Sequence, residues 1–287
     1  MLTDYHLHLQ PDGPEARERD HARWDAEGGP RSVGWIAQYV DAARARAVEE
    51  IAITEHVHRF REVRDWHPNP WWQAEATEDL AAHCAALVAA RDDHGLPVLV
   101  GIEMDWIPGR LDESRALLAS QPFDIVLGSV HWLGDLAIDH PDYPCWDDFG
   151  PDETWGRYLD ELGAAATSGL FDVLAHPDLP KVFGTRMPRG LEARRNEVIA
   201  AIATSGVAIE CSSAGLRKAC AELYPDPDWL AAFRRAGVPV TLASDAHRPE
   251  DVATGYATAV AALRGAGYET ITRFRSREPG QVRIRWA

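Results

Sequence analysis

Cysteine is scarce in this chain: four residues in 287, Cys84, Cys145, Cys211 and Cys220, with no C-x-x-C pair. That excludes a disulfide framework or a zinc ribbon and agrees with a reducing compartment. Long apolar runs are missing as well. The longest apolar-rich stretch free of charge, Val198 to Ile209, has 12 residues and includes Thr204 and Ser205, too short to cross a bilayer. Basic charge is in deficit, with 29 Lys and Arg against 45 Asp and Glu and a formal charge of −16. Nucleic acids and anionic membranes, which require a basic face, are therefore disfavoured partners. The segment from Met1 to Gln10 lacks the basic and apolar regions of an export signal, so the expected location is the cytoplasm. Linkers and low-complexity stretches are absent too. Residues 1–287 are expected to form one domain, and 46% apolar content is ample for its core.

What is present is a repeated cadence of helix, glycine and short apolar strand. Seven runs rich in Val, Ile and Leu read as strands: Leu2 to His8, Glu50 to Glu55, Pro97 to Glu103, Asp124 to Val130, Phe171 to Ala175, Val207 to Glu210 and Pro239 to Ser244. Each precedes a polar cluster, and successive clusters are 28 to 48 residues apart, enough for a helical crossover between parallel strands. The intervening segments read as helices over Val33 to Val48, Thr77 to Arg91, Leu111 to Ala119, Asp152 to Ser168, Arg189 to Thr204, Pro227 to Ala236 and Glu250 to Arg264. Ser32 suits an N-cap, Asp152 follows Pro151 at a helix start, and Gly95, Gly169, Gly206 and Gly237 stand where helices should stop. Seven such units suit a closed or nearly closed α/β barrel, with a doubly wound open sheet as the alternative. The tail from Glu269 to Ala287, with Val282, Ile284 and Trp286 alternating, reads as a last strand or hairpin.

The polar clusters share a composition. His6 and His8 end the first strand, Glu55 and His56 the second, Glu103 and Asp105 the third, His131 the fourth, His176 and Asp178 the fifth, and Asp245 and His247 the seventh. In a β/α barrel the carboxyl ends of the strands converge on one mouth, which would make these distant residues a single site. His-x-His at a strand end puts two imidazoles on one face of the pleat, and Asp245-x-His247 repeats the spacing with mixed donors. Imidazole and carboxylate together suit Zn, Fe or Mn, and the absence of cysteine argues against a structural zinc. Eight donors, His6, His8, His56, Glu103, His131, His176, Asp245 and His247, exceed what one ion takes. They imply two or three divalent metal ions sharing a carboxylate, an arrangement suited to hydrolysis of a phosphate ester.

The ordered motifs Tyr5-His6-Leu7-His8, Thr54-Glu55-His56, Gly101-Ile102-Glu103, Gly128-Ser129-Val130-His131, Ala175-His176-Pro177-Asp178 and Ser244-Asp245-Ala246-His247 resemble the polymerase and histidinol phosphatase (PHP) superfamily over nearly the whole chain. Asp178-Leu179-Pro180-Lys181, Ala214-Gly215-Leu216-Arg217-Lys218 and Asp245-Ala246-His247-Arg248-Pro249-Glu250 are similar to its stand-alone histidinol-phosphatase branch. The resemblance implies a distorted (β/α)7 barrel of the PHP type holding up to three metals, and hydrolysis of L-histidinol phosphate in histidine biosynthesis. It further implies that His6, His8, Glu103 and Asp245 bind one ion, that Glu103 bridges to a second held by His131 and His176, and that His56 and His247 serve a third. The family usually places a His or Asp six residues after the second histidine, where this chain has Pro14. Asp12 or His21 are the substitutes, Asp12 being favoured, unless the loop from Pro11 to Pro30 is rebuilt.

The expected mechanism is in-line attack on a phosphate monoester by a metal-bound hydroxide, without a phosphoenzyme. Asp245 and His247 are the acid candidates for the leaving alkoxide. Lys181, Arg217, Lys218 and Arg248, which follow strand ends, are candidate phosphate donors. Trp66, Trp71, Trp72, Trp106 and Trp132 either wall a pocket for an imidazole-bearing substrate or pack the loops. His58, His67 and His140 read as loop residues without metal, and Cys211 has no base beside it that would make it a nucleophile. The rival readings are a PHP phosphoesterase acting on nucleotides or nucleic acid and a non-catalytic metal-binding module. An amidohydrolase, which also begins with H-x-H, typically bridges its metals with a lysine on the fourth strand, where this chain carries His131.

Overall fold

We describe the fold from a computed structural model covering residues 1–11 and 14–285. Its strands are β1 (Thr3–Asp4), β2 (Glu50–Ile53), β3 (Val98–Asp105), β4 (Ile125–Ser129), β5 (Trp132–Leu133), β6 (Leu136–Ala137), β7 (Val173–Leu174), β8 (Ala208–Ser212), β9 (Val240–Ala243), β10 (Thr270–Arg275) and β11 (Glu278–Arg283). The helices are α1 (Pro14–Ala26), α2 (Val33–Ala45), α3 (Pro70–Glu75), α4 (Leu80–Asp92), α5 (Leu111–Ala119), α6 (Trp146–Thr167), α7 (Glu192–Ser205), α8 (Pro227–Arg235) and α9 (Tyr256–Ala266).

Seven strands form one parallel sheet in the order β1-β2-β3-β4-β7-β8-β9. The order follows the chain without reversal, which rules out the doubly wound alternative. The last strand returns to the first: Tyr5 N–H donates to Leu242 O at 3.2 Å and His8 N–H to Ala246 O at 2.8 Å. The sheet is thus a nearly closed, distorted barrel. Its interior is filled by alternate residues of successive strands, including Ala52, Leu99, Ile125, Leu127, Val173 and Ala208, and Phe274 of β10 joins them. A larger apolar cluster lies between the strands and the surrounding helices. Among the described residues no helix is long and apolar enough to cross a membrane.

Local chemistry accounts for the element boundaries. Ser32 accepts the Trp35 N–H and starts α2, as expected. Asp79, not Thr77, caps the next long helix, because its carboxylate accepts the Ala82 N–H. The helix expected from Asp152 is preceded by a turn beginning at Trp146, the two joined across a kink at Gly150 with φ 68°. The last crossover helix starts at Tyr256, later than Glu250. Ala253 and Gly255 have positive φ, and the Ala253 N–H is drawn to the buried Asp4 carboxylate at 3.0 Å. The first strand is shorter than Leu2 to His8, since beyond Asp4 the ladder to β2 is interrupted: Leu7 N–H donates to Thr54 Oγ1 at 3.1 Å while the Thr54 N–H donates to Leu7 O at 2.8 Å. Helix α1 and the β5–β6 hairpin have no counterpart in the sequence reading. The tail does form an antiparallel hairpin, Thr270 pairing with Arg283; Trp286 lies outside the described residues.

Candidate metal centre

The inward-facing positions change character along the strands. From Leu99 a period of two brings Gly101, Glu103 and Asp105 to the same face of β3. On β4 the series runs Ile125, Leu127 and Ser129 and reaches His131 just beyond the strand. The apolar interior therefore gives way, one or two pleats higher, to a polar layer. Gly101 is required beneath it, because a Cβ there would stand 2.6 Å from Thr54 Cγ2 and 2.9 Å from Ile53 O.

Glu103 is the centre of that layer and is wholly buried. Its Oε1 accepts the Ser129 hydroxyl and lies 3.1 Å from His176 Nε2, 3.3 Å from His6 Nε2 and 3.5 Å from His131 Nε2. Its Oε2 lies 2.5 Å from His56 Nδ1 and 3.7 Å from His8 Nε2. Burial would raise the Glu103 pKa, but His6, His56 and His131 hold it well below the usual carboxylate range. Asp245 stands opposite, its Oδ1 3.7 Å from His6 Nε2 and 3.4 Å from His8 Nε2. Burial opposes its ionisation too, and His6, His8 and His247 again keep it well below its ordinary value.

The ligand atoms fall into three groups, each with its atoms within 4.8 Å of one another: His6, His8 and Glu103; Glu103, His131 and His176; and His8, His56 and His247. Expected ligands from six strand ends are thus brought together, and Glu103 is common to two groups. His8 enters the group of His56 and His247, a membership the strand-end spacing does not predict; its ring stacks against each of theirs, with centroids 4.0 and 4.3 Å away. Asp12 lies outside the described residues. His21 belongs to none of the groups: it is exposed on α1 and pairs with Asp25 at 3.0 Å.

Three carboxylates orient these rings from behind. Glu210 Oε2 lies 2.9 Å from His6 Nδ1, Glu55 Oε1 3.3 Å from His8 Nδ1, and Asp105 Oδ1 2.8 Å from His131 Nδ1. In each pair the other ring nitrogen faces the cluster, the arrangement that second-layer carboxylates impose on metal-binding histidines. None of the three was assigned a role from the sequence. The available signal was a carboxylate in a buried strand, which requires a partner.

The donors fit divalent metal ions. Among the described residues, buried His6 Nε2 and His8 Nε2 have no hydrogen-bond partner, and His131 Nε2 faces His176 Nε2 at 3.2 Å. Clustered imidazole lone pairs beside two ionised carboxylates are poorly satisfied by one another and well satisfied by cations. A pH dependence follows. Burial opposes a charge on His131, but Asp105 and Glu103 outweigh it and raise its pKa to about 10. Without metal this ring keeps its proton as pH rises, up to that value, and an ion must displace it. Zinc affinity measured against a chromophoric chelator should therefore fall about tenfold per pH unit between pH 8.5 and 6.5 for each proton displaced. A flat profile would refute this ligand set.

The candidate phosphate donors separate. Lys181 is not at the mouth: it is buried, paired with Asp178 at 2.6 Å, and donates to Leu223 O at 2.6 Å. Arg248 pairs with Asp20 of α1 at 2.8 Å, and Arg217 donates to Ser244 O and Asp245 O at 2.7 and 3.0 Å. Both nevertheless line a cavity of about 350 Å³ with Arg19, Lys218 and His247. Lys218 also lines the small recess holding Glu103, His131 and His176, and a third cavity of about 380 Å³ on the far side. That third cavity is walled by Trp71, Trp132 and His140, carries Asp139 and Asp142, and reaches His56 and His131. Of the five tryptophans named from the sequence, Trp72 is buried, Trp66 packs against the core and Trp106 is tied to Glu161 at 2.7 Å, which leaves Trp71 and Trp132 to wall the pocket. His58 and His140 line it too, while His67 bonds Gly134 O at 3.0 Å. Cys211 is buried, and burial pushes its thiol up to about 12, which removes it as a nucleophile.

Comparison with known proteins agrees with this geometry. The family model described as PHP domain matches residues 30–214. A curated relative from Deinococcus radiodurans, named a probable histidinol-phosphatase, is 33% identical over 284 residues, covering 97% of this chain and 99% of the relative. Among solved structures, the histidinol phosphate phosphatase of Lactococcus lactis, crystallised with zinc, L-histidinol and phosphate, superposes with a TM-score of 0.72 at 19% identity, covering 97% of this chain and 98% of the other. A candidate histidinol phosphatase from Listeria monocytogenes gives 0.73 at 20% identity, with 89% and 99% covered. At such identities these two structures speak to the barrel alone.

Proposed function

The chain belongs to the PHP-domain family, and on that premise we propose that it is a metal-dependent phosphatase hydrolysing L-histidinol phosphate to L-histidinol and phosphate. The full-length match to a relative named for that activity supports the substrate. The observation that carries the reaction is Glu103, one buried carboxylate common to two ligand groups. His6, His8, Glu103 and Asp245 would hold one ion, Glu103, His131 and His176 a second, and His56 and His247 with His8 a third. Zinc, iron or manganese so held supplies Lewis acidity and lowers the pKa of water towards neutrality.

The chain's own residues divide the remaining work. Lys218, with Arg217 and Arg248 behind it, faces the phosphoryl oxygens. The aromatic and acidic cavity at the other side takes the imidazole and the ammonium of the amino alcohol, whose positive charge Asp139 and Asp142 match. Asp245 is unsuited to the acid role expected for it, since it is held as a carboxylate. His247 shares a ligand group with His8 and His56, so the same nitrogen does not serve as ligand and acid together.

Phosphate release from L-histidinol phosphate, a nucleoside monophosphate panel and p-nitrophenyl phosphate tests the assignment. Histidinol phosphate is expected to give the highest kcat/KM by more than tenfold; a nucleotide preference of that size overturns the substrate. Asp142→Asn should raise KM for histidinol phosphate by about 5- to 50-fold, a loss of about 1–2 kcal/mol of charge-assisted bonding. Its kcat on p-nitrophenyl phosphate, which has no cation, should stay unchanged.

A further inference from the structure

Glu210 touches two of the ligand groups at once. It stands on β8 two residues beyond Ala208, whose side chain lies among Leu127, Val173 and Phe274 in the barrel interior. The pleat therefore turns Glu210 inward directly beneath the histidine layer, where it is wholly buried. Its Oε2 meets His6 Nδ1 at 2.9 Å, and its Oε1 accepts the backbone N–H of His176 at 2.8 Å. His6 belongs to one group with Glu103 and His176 to the other. His176 has φ 27°, a conformation L side chains rarely adopt.

We propose that Glu210 is a positioning residue that sets two metal sites with one carboxylate, fixing the ring of His6 and the backbone of His176. The inference rests on the metal-binding reading above and not on the identity of the ester. A carboxylate only accepts hydrogen bonds, so facing it His6 Nδ1 must carry hydrogen. In the neutral ring that leaves the lone pair on Nε2, the atom that faces Glu103 and Asp245 at 3.3 and 3.7 Å. The second oxygen meanwhile holds the strained peptide of His176 in the orientation that aims its ring at Glu103.

Glutamine has the same shape and breaks this logic. If its oxygen keeps the His176 N–H, its NH₂ faces His6 Nδ1, which must then accept; the hydrogen moves to Nε2 and the lone pair available to an ion is lost. If the amide is reversed, its NH₂ meets the His176 N–H, donor against donor. The first orientation satisfies both partners only by giving up the lone pair that binds the ion, and the second leaves the His176 N–H without an acceptor.

The experiment uses the full chain, stripped of metal and titrated with zinc alone. Wild type and Glu210→Gln are compared by elemental analysis after gel filtration, by chelator competition, and by the melting temperature of the metal-free forms. Glu210→Gln is expected to bind zinc about 10- to 100-fold more weakly and to retain at least one ion fewer per chain. Its metal-free melting temperature should match that of wild type, which separates positioning from mere structural support. Excess zinc should restore kcat with KM for the ester unchanged. Glu210→Asp, an acceptor-only group one methylene too short to span both partners, is the second variant should the glutamine chain not fold, and is likewise expected to weaken zinc binding. Wild-type zinc content and affinity in either folded variant overturns the proposal. A wild-type chain that binds no zinc overturns it together with the metal reading, whereas zinc binding without histidinol phosphate turnover leaves it standing and removes only the substrate.

Discussion

Glu103→Gln should lower kcat by about 10³-fold or more, equivalent to about 4 kcal/mol of transition-state stabilisation, and should cost the chain at least one bound ion. The reason is geometric. Both oxygens of Glu103 are engaged, Oε1 towards His6, His131 and His176 and Oε2 towards His56 and His8. An amide removes the negative charge and replaces one oxygen with a donor that repels a cation. Glutamine keeps the volume of this buried side chain, so far-UV circular dichroism of the metal-free variant should match wild type. Elemental analysis and phosphate release then report on the bridge alone. Full activity with a full ion complement would show that Glu103 bridges nothing.

The second large effect concerns stability. Arg59, fully buried at the end of a 3₁₀ turn over Val57–Arg59, lies with Nε 3.0 Å from Glu55 Oε1, and its Nη2 donates to Gln10 O and Pro11 O at 3.3 and 3.0 Å. Burial would raise Glu55, but Arg59 and His8 hold it far below the usual carboxylate range. Removing the guanidinium strands that charge, and breaking a buried pair from one side costs about 3–5 kcal/mol. Arg59→Met is therefore expected to lower the stability measured by denaturant unfolding by that amount. The double variant Arg59→Met with Glu55→Gln should recover part of the loss, because neither partner is then left as an isolated charge. A double variant no more stable than Arg59→Met would locate the cost in packing. Since Glu55 also bonds His8 Nδ1 and the Leu9 N–H at 3.3 and 3.1 Å, Arg59→Met should in addition weaken zinc binding by about 10-fold.

Much of the centre was legible because its ligands stand at strand ends. Composition marks a strand end sharply: an apolar run stops and His, Asp or Glu follows, as at His8, Glu103, His131 and Asp245. In a parallel barrel with sequential strand order these ends must meet, so one expected architecture brings residues from 6 to 247 into a common layer. The period of two then selects which of two neighbours points inward, which is why Glu103 and Asp105 share a face of β3.

Pairing was not legible. Lys181 and Lys218 both follow strand ends in sequence, yet the first is neutralised by buried Asp178 and the second lines the cavities around the centre. Glu210 looks in the sequence like the close of an apolar strand; only the fold places it against His6, 204 residues away, and beneath the strained peptide of His176. Helix α1 lacks a strong apolar stripe, and it is joined to the mouth by Asp20–Arg248 and Arg23–Glu250 at 2.8 and 2.5 Å. Whereas closure of the sheet into a barrel was decided by the tertiary structure, the sequence by itself determined the alternating β/α order, the polar character of the strand ends and the nitrogen and oxygen character of the ligands. Those follow from periodicity and side-chain chemistry, which are local. Only the tertiary structure decided which carboxylate serves an imidazole, which neutralises a cation and which stands between ions. Such choices are settled by distances of a few ångströms between segments far apart in the chain, and no local pattern encodes them.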